Sequence, residues 1–246
     1  MTPHLGSSLI GLTNAERARS ALAASSSLAW VAGTEAGSAL FYEECGFPIL
    51  LTTAGAAEDL MRAGAGRITL DQHPHVGLVR LVGEFWPLAN ADALPRLEAI
   101  KRDHRDCTNC ISHQLSRMIG LHVVTAAIRL PGEREFRPIS LDDYTAATPD
   151  PVVACGAVIA AHLNTAHQAE IRSVGANLLE APAAQIAGAS IGAVSSFGFE
   201  LSISTDQGGR VLALPFDIPP VDEADLQRSF RRALIGTDGS TDSLCI

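Results

Sequence analysis

SLAWVAGTEAGSALFYEECGFPILLTT, residues 27–53, is the stretch whose reading decides the fold. Ser27 to Ala32, Ser38 to Glu43 and Phe47 to Thr53 are short runs of β-branched, aromatic and alternating apolar residues. Gly33, Gly37 and Gly46 fall between them, so the connections read as tight turns rather than crossover helices. Short strands joined this closely do not suggest a doubly wound parallel sheet.

On the N-terminal side, Thr13 followed by Glu16 is a capping-box pattern, opening an alanine-rich helix to about Ala24. On the C-terminal side a short helix, Ala56 to Ala63, leads into strands at Arg67 to Asp71 and Val76 to Trp86. In the latter, Val76, Leu78, Arg80 and Val82 share one face and Gly77, Val79, Leu81 and Gly83 the other. Arg80 stands out, because a guanidinium removed from water requires a partner. From Ala91 to about Met118 the apolar spacing turns helical, through Leu94, Leu97, Ile100, Ile111 and Leu115. Leu121 to Leu130 returns to strand, and Phe136 to Ile139 reads as a short last one. Helix, many short strands, helix and strand in that order predict a small barrel with attached helices.

The segment Asp142 to Pro151, DDYTAATPDP, is the natural boundary. Beyond it Val152 to Leu179 is helical, with a break placed at Asn164 because asparagine caps helix N-termini. Strands follow at Ile186 to Ser195, Phe199 to Thr205 and Arg210 to Leu214, with Asp206 to Gly209 as a turn. A helix over Val221 to Leu234 closes the region. The fold class is therefore α+β: a small N-terminal β-barrel with flanking helices over 1–148, a small C-terminal α/β region over 149–236, and a flexible tail over 237–246.

Composition narrows the chemistry. The chain has 246 residues, 27 acidic against 18 basic side chains and a net charge of −9. Nucleic acid and anionic membrane surfaces demand clustered positive charge, so neither is an expected partner. Lys101 is the single lysine and lies in the charged run Lys101 to Arg105, which argues against a Schiff-base enzyme. No run approaches the roughly 18–20 apolar residues of a membrane span. Cys45, Cys107, Cys110, Cys155 and Cys245 are odd in number and irregular in spacing, which reads as reduced thiols and a cytoplasmic setting.

Three pieces of the second half carry a family resemblance. AHLNTAHQAEI (Ala161 to Ile171) resembles the His-Met-Asn-x-x-His helix start of the α/β module that accompanies flavin-type split barrels in haem-utilisation proteins. Ser196-Phe-Gly-Phe-Glu-Leu201 and Leu212-Ala-Leu-Pro-Phe216, followed by an acidic helix, match that module in order and spacing. Leu141-Asp-Asp-Tyr144 and Asp150-Pro151 resemble the segment that leads into it. The first half resembles the pyridoxamine-phosphate-oxidase-like split barrels, in the order apolar strand, turn, Gly-Phe-Pro strand, short helix and two strands ending near Gly83. Relatives of this build include bacterial haem-utilisation oxygenases and a plant chloroplast protein that binds glutamyl-tRNA reductase.

The resemblance implies a haem- or tetrapyrrole-binding protein, oxygenase-like or noncatalytic, and a homodimer formed through the barrel. Haem would be its cofactor, with His162, His167, Arg80 and His73 as candidate contacts, an imidazole for iron and a guanidinium for a propionate. An FMN-dependent oxidoreductase is the alternative, with Thr52, Thr53 and Arg67 as flavin-phosphate contacts. A third reading is a binding or regulatory protein whose cofactor site is lost. Departures from the flavin pattern favour it: Thr52 to Leu60 reads TTAGAAEDL, and Glu58 and Asp59 put negative charge where a phosphate needs donors. The tail Gly236 to Ile246 also lacks the histidine with which the oxygenase relatives hold iron.

Each candidate has a plainer structural reading. On one continuous helix His162 and His167 would point about 140° apart, and a break at Asn164 relaxes this; otherwise they cap and pack where two helices meet. His104, Cys107, Cys110 and His113 are zinc-type ligands at three-residue spacing, which on a straight helix spiral apart and cannot all reach one ion. His73-Pro-His75 is either the lining of a barrel mouth or a turn. Ser195, Ser196 and Asp206 lack any nucleophile-elbow pattern, which removes a hydrolase.

Overall fold

A computed structural model describes residues 11–25, 27–73, 77–89 and 117–235, together with Ala93, Pro95 and Glu98. Within Ser27 and residues 71–73 it describes the backbone alone. The chain falls into two compact units. One is drawn from residues 21–73 and 77–147, the other from residues 148–235 together with 11–20.

The sequence's capping box forms. The Thr13 amide donates to Glu16 Oε2 at 2.8 Å and the Glu16 amide donates to Thr13 Oγ1 at 3.2 Å, opening α1 (Asn14–Ala24). Six strands then build the barrel: β1 (Ser27–Ala32), β2 (Glu35–Glu44), β3 (Phe47–Thr52), β4 (Ala65–His73), β5 (Gly77–Pro87) and β6 (Arg117–Arg129), with α2 (Ala54–Ala63) between β3 and β4. Sheet order is β3-β2-β1-β4-β5-β6, all antiparallel, and β3 also pairs β6 through Ile49–Gly120, Leu50–Ile119, Leu51–Met118 and Thr52–Arg117, which closes it. Closure removes the free sheet edges that a six-stranded open sheet would expose.

Alternation fixes which side chains enter the barrel. Leu28, Trp30 and Ala32, then Ile68 and Leu70, then Val79, Leu81 and Phe85 are buried, while their strand neighbours point outward. The β2–β3 hairpin turns on Cys45 and Gly46, both at positive φ (51° and 90°), the geometry that matches the strands' right-handed twist. At β5 the register to β6 shifts between Val82 and Gly83, a bulge; a Cβ on Gly83 would lie 2.0 Å from the His122 carbonyl oxygen, so only glycine allows this approach.

One sequence expectation changes here. The helical spacing assigned to Ala91 to Met118 runs too far: Arg117 and Met118 belong to β6, where Met118 pairs Leu51. The boundary stretch Asp142 to Pro151 carries structure of its own. After β7 (Arg137–Ile139), α3 (Leu141–Ala146) forms on a Ser140 cap, and its Tyr144 hydroxyl donates to the Gly46 carbonyl at 2.7 Å. That long-range bond fixes α3 to the β2–β3 turn.

The second unit is built on a three-stranded antiparallel meander, β8 (Ile186–Ser195), β9 (Gly198–Thr205) and β10 (Gly208–Pro215), in the order β10-β9-β8. Helices α4 (Val153–Ala166) and α5 (Gln168–Leu178) contact β8, and α6 (Glu223–Ile235) contacts both of them. Phe199, Phe216 and Phe230 pack in the core with ring centroids 4.9–5.6 Å apart. Asp150 ties the start of this unit together. Only 8 % exposed, its carboxylate accepts from the Val152 amide (3.0 Å), the Ser196 amide (2.9 Å) and the Ser196 hydroxyl (2.6 Å), and its own amide donates to Ser20 Oγ (2.8 Å). A buried carboxylate is tolerated because these donors replace water.

Candidate ligand-binding site

The two histidines of the resemblance are brought together, but by a break the sequence misplaces. Asn164 caps no helix; it lies inside α4, and α4 ends at His167, whose φ of −125° and ψ of 35° turn the chain into α5. Asn164 instead faces β8. Its amide nitrogen donates to the Ile191 carbonyl at 2.8 Å and its amide oxygen accepts from the Ile191 N–H at 2.7 Å. A carboxamide carries one donor and one acceptor side by side, as a peptide does, so Asn164 imitates one residue of a neighbouring strand along the free edge of β8.

The break at His167 leaves the His162 and His167 rings edge to face, with centroids 5.4 Å apart. His167 is 8 % exposed and its Nδ1 lies 3.9 Å from Glu170, whereas His162 is exposed. The pair is thus a contact at a helix junction with His162 the outward member. Among the described residues no group of three or more His, Cys, Asp or Glu side chains is placed to hold a metal ion. His104, Cys107, Cys110 and His113 lie outside the described residues, as do Pro74, His75 and the side chain of His73.

The expected flavin-phosphate set does not assemble as a free cluster. Thr53 Oγ1 is committed to capping α2, accepting from the Ala56 amide at 3.3 Å. Thr52 is buried at the end of β3, opposite Arg117, and Arg67 lies exposed on β4, opposite Val31 of β1 and Val82 of β5. Asp59, in the second turn of α2, is paired with Arg62 at 2.9 Å. Ser196 is equally committed, as a donor to Asp150, and among the described residues no histidine hydrogen bond joins them as a triad would require.

Arg80 is the candidate whose surroundings invite a ligand. It sits half-buried on the outer face of β5, opposite Thr69 of β4 and Ala127 of β6. Its guanidinium carbon lies 3.7 Å from the centroid of the Phe136 ring, and that of Arg129 lies 5.4 Å from the same centroid. The Nε of Arg80 is buried without a hydrogen-bond partner. A cation–π contact of this kind contributes on the order of 1 kcal/mol and leaves the outer N–H edge of the guanidinium free, so the partner demanded by the sequence is a ring and not a carboxylate. Arg129 and Phe136 escape sequence reasoning. The strand parity of Arg129 matches that of Arg80 only through the β5–β6 register, and no local pattern marks Phe136.

Cys155, in the first turn of α4, is the one described thiol with a perturbed acidity. Burial pushes its pKa up, and the nearby carboxylates of Glu223 and Asp150 add to this. A thiol kept protonated is a weak nucleophile, so Cys155 is a packing residue.

No family model matches the chain, and no curated protein does. Solved structures do. A haem-binding protein from Mycobacterium smegmatis aligns over 92 % of this chain and 98 % of its own, at 19 % identity and a TM-score of 0.61. A protein of unknown function from Agrobacterium tumefaciens aligns over 94 % and 100 % at 17 % identity (TM-score 0.38). A pyridoxinephosphate-oxidase-family protein from Clostridium acetobutylicum, related to general stress protein 26, aligns over 54 % and 99 % at 9 % identity (TM-score 0.42). The first of these shows the fold: an α+β split barrel followed by further α/β structure, shared along nearly the whole of both chains. Among the described residues no helix is long and apolar enough to cross a membrane.

Proposed function

We propose that this chain is a tetrapyrrole-binding protein, with haem as its first candidate ligand, and that its second unit is the α/β module of haem-utilisation proteins. The observation that carries the reading is Arg80, a guanidinium held by an aromatic ring on the barrel's outer wall with its hydrogen-bonding edge unspent. The fold likeness to a haem-binding protein over nearly the full length of both chains supports it. Flavin is disfavoured because Thr53 is spent on its own helix and Arg67 lies on a different strand from the two threonines. The reading concerns binding. His162 is the exposed member of the histidine pair, and oxygenase turnover would need an imidazole ligand for the iron.

The test is optical. Purified full-length protein is titrated with haemin, and a saturable Soret shift at micromolar concentration is expected. A yellow preparation that releases flavin on denaturation, with no haemin shift, would replace the reading by the flavoenzyme. The proposed assembly is a homodimer through the barrel, read by sedimentation of the same sample.

A further inference from the structure

Arg80 is one of three. On the outer barrel face the pairing register sets Ser38, Ala29, Thr69, Arg80 and Ala127 in one line across β2, β1, β4, β5 and β6. Ala36, Val31, Arg67, Val82 and Thr125 form the next line, and Leu78 with Arg129 begins the line on the other side. Arg67, Arg80 and Arg129 therefore run diagonally over three adjacent strands, each about 7–8 Å from the next at Cβ. None of them forms an ion pair or a side-chain hydrogen bond among the described residues; the ring of Phe136 is the contact of two. Glu84, beyond Val82 on the same face, pairs with none of them. In a chain of net charge −9, three unpaired cations in a row are a local reversal of sign.

The side chains that flank the row are small or aliphatic: Ala29, Thr69, Thr125 and Ala127 are short, and Val31, Leu78 and Val82 add apolar surface. The wall curves round the closed barrel, so the surface beside the row is the strip carried by β4, β5 and β6. The ligand that fits it has an apolar body and two anionic groups along one edge, spaced to meet guanidinium groups one strand diagonal apart.

We infer that the wall binds the carboxylate edge of a porphyrin dicarboxylate, Arg80 and Arg129 each receiving one propionate while Phe136 holds both guanidinium planes in place. Arg67 supplies long-range attraction at the far end of the row. Bidentate guanidinium–carboxylate pairing supplies both the affinity and the direction in which the macrocycle lies. The inference rests on the tetrapyrrole reading and specifies how that ligand is held.

The probes are protoporphyrin IX and its dimethyl ester, which keeps the macrocycle and removes both charges. The wild-type chain is expected to bind the diacid at least tenfold more tightly than the ester, with an affinity that falls as salt is raised. Arg80→Met and Arg129→Met are each expected to weaken the diacid about 10- to 100-fold and leave the ester unchanged; Arg67→Met has a smaller effect. Equal binding of diacid and ester by the wild type, or diacid affinity unmoved in Arg80→Met and Arg129→Met, overturns the inference while leaving the tetrapyrrole reading intact. If neither porphyrin binds the wild type, both fall together. A variant that loses diacid and ester alike, with a halved sedimenting mass, would instead assign the wall to a second copy of the chain and also overturn it. The salt dependence of the wild type gives an answer even if a substitution prevents folding.

Discussion

Replacing Asn164 by alanine removes two hydrogen bonds at once, and both end on the backbone of a single residue. Ile191 is 2 % exposed, so neither its N–H nor its carbonyl regains water when the carboxamide is deleted. An unsatisfied buried backbone group costs about 1–3 kcal/mol, while a made hydrogen bond is worth about 1 kcal/mol net, so the expected loss is about 2–4 kcal/mol. At the lower bound this is about a 30-fold change in an equilibrium constant. Two measurements read it. Urea unfolding reports the global loss, and amide hydrogen exchange reports it locally, because the Ile191 N–H would exchange at least about 30-fold faster if opening of this segment governs exchange. Asn164→Asp is the sharper variant: it keeps an acceptor for the Ile191 N–H but sets a carboxylate oxygen against the Ile191 carbonyl, and at neutral pH it should lose at least as much as alanine. If Asn164→Ala costs less than about 0.5 kcal/mol with Ile191 exchange unchanged, the strand-mimic role is wrong.

Two further outcomes follow from groups already placed. Asp150→Ala strands three donors around a buried position and is expected to cost about 3–5 kcal/mol by chemical denaturation, with Asp150→Asn intermediate because it retains an acceptor but carries no charge. Cys155 is expected to alkylate more slowly than the exposed Cys45 at pH 8, followed by peptide mass mapping, and Glu223→Gln should narrow the gap by removing one of the causes that raise its pKa. Because a raised folded pKa favours the native state only while the thiol stays protonated, the contribution of Cys155 is present below the ordinary thiol value of 9.0 and is lost as pH climbs past it; equal alkylation rates at Cys45 and Cys155 would contradict this.

The parts of the structure that were legible in the sequence are those whose cause is local. Strand β1 runs from Ser27 to Ala32, α1 starts at the Thr13–Glu16 box, and Arg80 shares a strand face with Leu78 and Val82 as its parity assigns, although that face proves to be the outer one. What escaped depends on partners far along the chain. Asparagine at position 164 has two ways to satisfy its carboxamide, a helix N-cap or a distant backbone, and only the arrival of β8, 27 residues later, selects the second. The helix break then moves to His167, and that shift of three residues turns two histidines that a straight helix would separate into rings in contact. Arg80 shows the same dependence. Its need for a partner was evident, yet whether the partner is a carboxylate, a ring or a ligand is decided by the β5–β6 register, which brings Arg129 one diagonal away, and by the segment carrying Phe136. A guanidinium stacked on a ring has its charge oriented but not neutralised, so Arg80 and Arg129, with Arg67 next in the row, oppose folding through their mutual repulsion unless something anionic is gained by keeping them there.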